Sequence, residues 1–270
     1  MKSDRAPGYQ GTRGRPGETT KPVPESDPGS RIPDPVLSVV VPTYNERDSL
    51  PPLVSRLAEA CRALAVELVI VDDASPDGTG LVADALANSG SMPIAVIHRS
   101  GKAGLASAVL AGAHAARGMV ISVMDSDLSH PPELLPALFE AIQRGAGIAV
   151  ASRYVPGGGV DRWPWPRRLV SRVATVAAQI GLGLQVRDPL SGFFAVRREM
   201  LTERGYQGLG YKLLVEILAR HPQARVAEIP YRFVDRQAGQ SKLHISEIWA
   251  FLKLLTHLRL ARFRQVTLKR

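Results

Sequence analysis

The sequence predicts an α/β domain: a mostly parallel sheet with helices on both faces. Three observations carry that prediction. Short β-branched runs such as Leu37-Ser38-Val39-Val40-Val41 recur nearly unbroken by polar residues, as expected of strands covered on both faces. Each run is followed by a segment of helical length and composition, a βα rhythm that builds parallel crossovers. Three runs stop at polar or acidic residues, Asn45, Asp73 and Asp125. Open sheets of this kind bind ligands in the crevice beyond the carboxyl ends of their strands.

In chain order, the first strand covers Leu37–Val41, and Pro42-Thr43-Tyr44-Asn45 leads into a helix reaching about Leu64. The second strand, Glu67–Val71, ends at Asp72-Asp73, with a helix after Gly78. Pro93–His98 is the third strand, followed by an alanine-rich helix over Ala103–Ala116. The fourth strand, Met119–Met124, gives way to a helix opened by Pro131-Pro132 and closing near Gln143. Ile148–Ala151 is the fifth strand.

The composition changes outside residues 36–242, which we take as the folded domain. Residues 1–35 hold seven prolines and five glycines among charges, with no apolar periodicity. Such a tail cannot bury enough surface to offset its ordering entropy; it is expected to be disordered, and it lacks the apolar stretch of a secretory signal. The opposite end is basic: from Arg236 to Arg270 eight Lys/Arg residues face one acid, Glu247, contributing +7 to a chain of net charge +9. Nucleic acid and an anionic membrane both suit such charge. Ile245, Ile248, Trp249, Leu252, Leu255 and Leu258 recur at helical spacing beside Lys253, His257, Arg259, Arg262 and Arg264, so residues 243–270 read as a basic amphipathic helix and tail. Its apolar face suits either a membrane interface or the domain's own core. No aromatic-interleaved basic motif or zinc finger speaks for nucleic acid. The longest uncharged stretch, Val173–Val186, is interrupted by Gln179, Gly181 and Gly183 and falls short of the roughly 18 apolar residues a bilayer span needs. Membrane contact is therefore expected to be peripheral or through a partner. The single cysteine, Cys61, rules out an intrachain disulfide framework and, among Leu57, Ala58, Leu64 and Ala65, reads as a buried, inert thiol.

The stretch Val120-Ile121-Ser122-Val123-Met124-Asp125-Ser126-Asp127 carries the chemistry. Its two carboxylates are spaced i, i+2, and on an extended strand such residues point the same way. Charges so close repel unless a cation joins them, and hard oxygen ligands suit Mg2+ or Mn2+, which can also grip a diphosphate. The dinucleotide fingerprint is absent, because Pro42-Thr43-Tyr44-Asn45-Glu46 stands where a glycine-rich turn would be. Ser100-Gly101-Lys102-Ala103 mimics the end of a phosphate-binding loop, but Val96 replaces the first glycine and Ala103 the hydroxyl residue. Asp73 and Glu46 are candidates to accept hydrogen bonds from a nucleotide, or else are turn and capping acids.

These blocks carry a resemblance. Val41-Pro42-Thr43-Tyr44-Asn45-Glu46, Val71-Asp72-Asp73-Ala74-Ser75-Pro76-Asp77-Gly78-Thr79 and Met124-Asp125-Ser126-Asp127-Leu128-Ser129-His130-Pro131-Pro132 are similar to family 2 glycosyltransferases. Ser152-Arg153-Tyr154-Val155-Pro156-Gly157-Gly158-Gly159-Val160, Asp188-Pro189-Leu190-Ser191-Gly192-Phe193 and Arg236-Gln237-Ala238-Gly239-Gln240-Ser241-Lys242-Leu243 narrow the likeness to the polyprenyl (dolichyl) monophosphate mannose synthases. The resemblance implies a Rossmann-like GT-A fold, a GDP-mannose donor, a divalent metal, a polyprenyl phosphate acceptor and inversion at the sugar. It implies that Pro42, Tyr44, Glu46, Val71 and Asp73 hold the guanosine. Asp125, Ser126 and Asp127 would meet the diphosphate and metal, with Ser129 as a further polar ligand to the metal. Arg236 and Lys242 would close over the donor phosphates, and Arg153, Arg167 and Ser171 would position the acceptor phosphate. Asp188 would orient an acceptor-side arginine or the sugar. His130, just before two prolines, reads as a structural turn residue.

The residue chemistry agrees. A phosphate monoester has a second pKa of about 6, so a polyprenyl phosphate is already an anionic nucleophile near neutral pH. No Ser-His-Asp constellation is needed and none is found. The expected setting is peripheral, at the cytoplasmic face of a membrane, with a separate membrane partner subunit left open. Two alternatives stand beside this reading: a polyprenyl phosphate glucosyltransferase using UDP-glucose or another nucleotide sugar, and a catalytically idle membrane-binding protein.

Overall fold

The computed structural model describes residues 19–20, 35–161, 163–203, 206, 212–234, 251 and 253–259. Its centre is an eight-stranded sheet in the order β1-β4-β3-β2-β5-β8-β6-β9. The strands are β1 (Thr19–Thr20), β2 (Leu37–Thr43), β3 (Val66–Asp72), β4 (Ile94–His98), β5 (Val120–Val123), β6 (Ile148–Ser152), β8 (Phe194–Arg197) and β9 (Val226–Pro230). A two-stranded sheet pairs β7 (Gly159–Asp161) in parallel with β10 (Arg232–Val234). In the large sheet β2, β3, β4 and β5 run parallel, as do β6 and β9, while β8 lies antiparallel between β5 and β6. At one edge, Thr19–Thr20 pairs antiparallel with β4; the rest of the proline-rich tail lies outside the described residues.

Alternation along the strands sorts the core into two layers. Leu37, Val39, Val41, Leu68 and Ile70 pack with α1 (Leu50–Ala60), α2 (Thr79–Asn88) and α4 (Leu135–Gln143). Val40, Val69, Val71, Ile121 and Val123 pack on the other side with α3 (Leu105–Ala115), α6 (Arg198–Thr202) and α7 (Leu213–Arg220). These strands are buried on both faces, which is why they read as continuous apolar runs rather than as alternating ones. Helix boundaries shift by a few residues from the sequence expectation. α1 stops at Ala60 rather than near Leu64, and a 3₁₀ turn at Pro132–Leu134 precedes α4.

A third cluster lies at the far end. The long helix α5 (Trp165–Leu182) meets α7 and a C-terminal helical segment through Ala178, Leu182, Val215, Leu254, Leu255 and Leu258. Of the two readings open for the C-terminal helix, the described residues 253–259 favour core packing, because Leu254, Leu255 and Leu258 are buried. The outward apolar surface belongs to α5 instead. Trp165, Leu169, Val173, Val176 and Ile180 are exposed at spacings of four, four, three and four, forming one stripe. Gly183, at φ 61°, ends this helix in the left-handed conformation that glycine adopts without strain. Among the described residues no helix is long and apolar enough to cross a membrane. Cys61 is buried as expected, and desolvation pushes its thiol up to about 11, where it is inert as a nucleophile.

Candidate active site

The crevice opens where β2, β3 and β5 end, and three loops form its wall. Each loop turns on a non-glycine residue with positive φ: Asn45 at 60°, Ala74 at 55° and Leu128 at 62°. Side chains rarely adopt this conformation, and its recurrence at three adjacent strand ends marks a site whose backbone is held against local preference.

β5 ends at Val123, so Asp125 and Asp127 lie past the strand, on a bend. The strand-alternation argument for their convergence is therefore corrected: the pair lies beyond the strand, in the loop that carries Leu128. Asp127 Oδ1 accepts hydrogen bonds from the Ser129 backbone N–H at 3.0 Å and from its hydroxyl at 2.6 Å. Ser129 thus holds Asp127 in place from a buried position, while Ser126 between the two acids is also buried. The Asp125 backbone N–H donates to His130 Nδ1 at 3.0 Å, and Asp125 Oδ2 lies 3.8 Å from the same nitrogen. A ring nitrogen that accepts an N–H carries no proton, so His130 is neutral with its hydrogen on Nε2. The ring is 2 % exposed, stacks on Phe193 at 5.2 Å and meets Tyr231 and Phe233 edge-on. Gly192 makes this packing possible: a Cβ there would lie 3.2 Å from His130 Cε1 and 3.6 Å from Asp125 Oδ2.

The donor set fits a hard divalent cation. Among the described residues no group of three or more His, Cys, Asp and Glu gathers as a metal site. Two carboxylates with the remaining positions left to substrate oxygens and water is how Mg2+ is commonly held beside a diphosphate.

Around the neighbouring strand ends, Asp73 Oδ1 accepts from Arg99 Nη1 at 2.7 Å, and Arg99 Nη2 donates to Ser107 Oγ at 2.9 Å. Burial raises the Asp73 carboxyl above its ordinary range against the opposing pull of Arg99. Glu46 accepts from the Ser49 hydroxyl at 2.7 Å, while its backbone N–H donates to Thr79 Oγ1 at 2.9 Å. Tyr44 is exposed with Lys102 Nζ 4.0 Å from its ring centre, and Pro42 is buried beside it. Val71 is fully buried, its side chain in the α3 layer and its carbonyl accepting from Thr43 Oγ1 at 3.3 Å. Val71, paired on both sides by β2 and β4, thus presents no surface to a ligand, contrary to its expected place on the nucleotide side.

On the other flank, Arg153 follows β6 and binds Asp188 through three N–H groups: its backbone at 2.9 Å, Nε at 2.8 Å and Nη2 at 2.7 Å. Asp188 is fully buried, and its backbone N–H and that of Arg187 both donate to Glu228 on β9. Burial works against the Arg153 charge, but the hydrogen bonds and charge of Asp188 outweigh it and hold the guanidinium above its ordinary range. Arg167 lies over the Trp163 ring at 4.2 Å, and Arg153 over the same ring at 5.6 Å, so one buried indole seats both cations. Ser171 Oγ is 2.8 Å from the Tyr154 hydroxyl. The structure thus gathers Arg153, Arg167, Ser171 and Asp188 in one flank and Asp125, Asp127 and Ser129 in another. Arg236 and Lys242 lie outside the described residues.

Sequence reading missed the supporting residues. Arg99 and Lys102 sat inside the rejected phosphate-loop mimic, and their signal was position, directly after a strand of the same sheet. Trp163 stands in a Trp-Pro-Trp-Pro segment whose rings are expected at a membrane boundary, but it is buried; Phe233 has no local signature, because its contact with Trp163 at 5.4 Å joins segments 70 residues apart in the chain. His130, read as a structural turn residue, is also the buried link between Asp125 and this aromatic cluster.

Comparison with known proteins places the chain among enzymes of one kind. The sequence model of glycosyl transferase family 2 matches residues 38–205. A dolichol-phosphate mannosyltransferase of Pyrococcus furiosus is 44 % identical over 219 residues, covering 80 % of this chain and 62 % of that protein. The chain thus spans somewhat less than two thirds of that relative. A polyprenol monophosphomannose synthase of Mycolicibacterium smegmatis is 40 % identical, covering 82 % of this chain and 86 % of the relative. A dolichol-phosphate mannosyltransferase of Saccharomyces cerevisiae is 38 % identical, covering 84 % and 88 %. Among solved structures, glucosyl-3-phosphoglycerate synthase from Mycobacterium tuberculosis, in complex with Mn2+, UDP and phosphoglyceric acid, superposes with a TM-score of 0.62 at 24 % identity, over 84 % of this chain and 78 % of that one. That likeness concerns the fold.

Proposed function

Starting from the chain's membership of glycosyl transferase family 2, we propose that it transfers mannose from GDP-mannose to a polyprenyl phosphate. The observation that carries the reading is one aromatic cluster, His130, Phe233 and Trp163, that joins the acidic pair to the arginines. The printed activities of relatives at 38–44 % identity support it.

In this reading Asp125 and Asp127 hold a divalent ion, Mg2+ or Mn2+, which when bound neutralises charge on the leaving diphosphate. Ser129 and His130 keep the two acids in register. Pro42, Tyr44, Glu46 and Asp73 line the nucleoside side, with Arg99 keeping Asp73 in place. Arg153 and Arg167 orient the acceptor phosphate, and Ser171 offers it a hydroxyl. One phosphate oxygen bonds to the anomeric carbon as the bond from that carbon to the nucleotide diphosphate breaks. Because the attacking phosphate is already anionic near neutral pH, no side chain removes a proton. Asp188 tempers the charge of Arg153, which then positions the nucleophile without extinguishing it. Contact with the membrane is peripheral, at its cytoplasmic face, supported by the exposed stripe on α5; a membrane partner subunit is compatible with this arrangement.

The test is transfer of radiolabel into organic-extractable lipid, with a short polyprenyl phosphate, Mg2+ or Mn2+, and GDP-mannose or UDP-glucose in parallel. Chelator-sensitive labelling from GDP-mannose is expected. Labelling from UDP-glucose alone would overturn the donor, and none from either donor would overturn the lipid acceptor.

A further inference from the structure

Arg153 also lines a basic cleft whose other arginines have no part in the reaction proposed above. Its volume is about 430 Å³, and it is enclosed by Gly158 to Asp161, the start of α5 and β10. Arg153 and Tyr154 form part of its wall, but the charge of Arg153 is matched by Asp188. Arg168, Arg172 and Arg232 supply the rest of its positive charge. Arg232 is 3.5 Å from Asp161, Arg172 lies over the Tyr154 ring at 4.0 Å, and Arg168 reaches the Val160 carbonyl at 3.4 Å. Among the described residues no carboxylate pairs with Arg168 or Arg172. Three guanidinium groups around one concavity against the single Asp161 repel one another, and an entering anion relieves that repulsion. Phosphate oxygens match guanidinium geometry best.

The source of that phosphate follows from the helix that carries two of the arginines. α5 contains no acid, and Arg168 and Arg172 precede Leu169 and Val173 of its exposed apolar stripe by one residue each. A helix that inserts such a stripe between acyl chains brings the adjacent row of arginines to the level of the lipid phosphates. We propose that Arg168, Arg172 and Arg232 form a site for the phosphate-bearing headgroup of an anionic bilayer lipid. Docking there lays α5 on the membrane and turns Arg153 and Arg167 toward the acceptor. The inference rests on the lipid-acceptor reading above and adds to it a second lipid, which is bound but not consumed.

Flotation of the full chain with phosphatidylcholine vesicles, with and without phosphatidylglycerol, tests it. The wild type is expected to prefer the anionic vesicles. Arg172→Gln with Arg232→Gln is expected to lose about five-fold of that preference per arginine, roughly 25-fold together, the size expected of cations near a charged bilayer. Transfer to a detergent-dispersed short acceptor should be unchanged in that variant. Val173→Ser with Ile180→Ser should weaken binding to both kinds of vesicle equally. An unchanged preference for phosphatidylglycerol in the arginine variant overturns the proposal, and so does a raised acceptor KM in detergent, which would assign the cleft to the acceptor itself. Titration with inorganic phosphate, followed by the guanidinium NMR signals, separates the sources: phosphate binding lost in the variant while its vesicle preference is kept would mean a free-anion site. A change of oligomeric state in the Val173/Ile180 variant without lipid would mean an interface between copies, again overturning the membrane assignment. Vesicle binding is read without sugar transfer, so failure here and failure of the transfer reading are told apart.

Discussion

The two flanks of the crevice are built by different means. On the donor flank the acids are pinned by near neighbours in the chain. Asp127 is held by Ser129, Asp72 by Ser75, Glu46 by Ser49 and Asp77 by Thr79, each pair two or three residues apart. On the acceptor flank the partners come from far along the chain: Arg153 with Asp188 at a separation of 35 and Tyr154 with Ser171 at 17. The donor flank is thus largely a set of local turns, tied to one another by Arg99 to Asp73 and Thr79 to Glu46, whereas the acceptor flank exists only once β6, α5, the Asp188 loop and β10 have packed. Substitutions should therefore separate chemistry from stability on the first flank and join them on the second.

The largest effect is expected from Asp127→Ala. It removes a carboxylate of the proposed metal–diphosphate site from a half-buried local turn, so transfer should fall by roughly a thousand-fold or more while the thermal midpoint moves little. Labelled-lipid assays beside calorimetry check this, and wild-type turnover would sink the metal assignment. Asp188→Ala is the counterpart on the other flank. It leaves the nearly buried Arg153 uncompensated, so unfolding free energy should drop by about 3–5 kcal/mol along with activity, measured by chemical denaturation. A loss of activity with unchanged stability would erase the distinction between the flanks.

His130→Ala probes the link between them. Removing the acceptor of the Asp125 N–H should weaken Mn2+ affinity and turnover by about 10–100-fold, as changes behind metal ligands do, whereas His130→Asn, which can still accept that N–H, should recover part of the loss. Equal defects in the two variants would reduce His130 to aromatic packing. Arg167→Ala should raise KM for the lipid phosphate by about ten-fold, the worth of one charge-assisted hydrogen bond, and leave GDP-mannose affinity alone. A defect confined to the donor would contradict its placement. Ser129→Ala is expected to cost least, about five-fold in turnover, because Asp127 keeps the backbone N–H of residue 129.

The same contrast explains what could be read in advance. Strands β2 through β6 were legible because a strand buried on both faces must be apolar throughout, a property of the residues themselves. Asp125 and Asp127 were legible as a pair because their spacing is local, although the reason given for their convergence was strand geometry and the structure places them beyond the strand. Strands β7, β9 and β10 hold no buried residue and β8 only three, so no apolar run announced them. The C-terminal helix shows the other limit. Its amphipathic pattern states that one face seeks apolar surroundings but not whether lipid or protein provides them.

By itself the sequence determined the α/β class, the crevice at the strand ends, the acidic pair and the family, because these depend on composition, period and short motifs. Only the tertiary structure decided that Asp188 neutralises Arg153, that Trp163 seats two arginines and that His130 ties Asp125 to that aromatic cluster. It also decided that α5, rather than the described part of the C-terminal helix, turns its apolar stripe outward. Each of those outcomes depends on which of several chemically equivalent partners lies within a few ångströms, and packing alone selects among them.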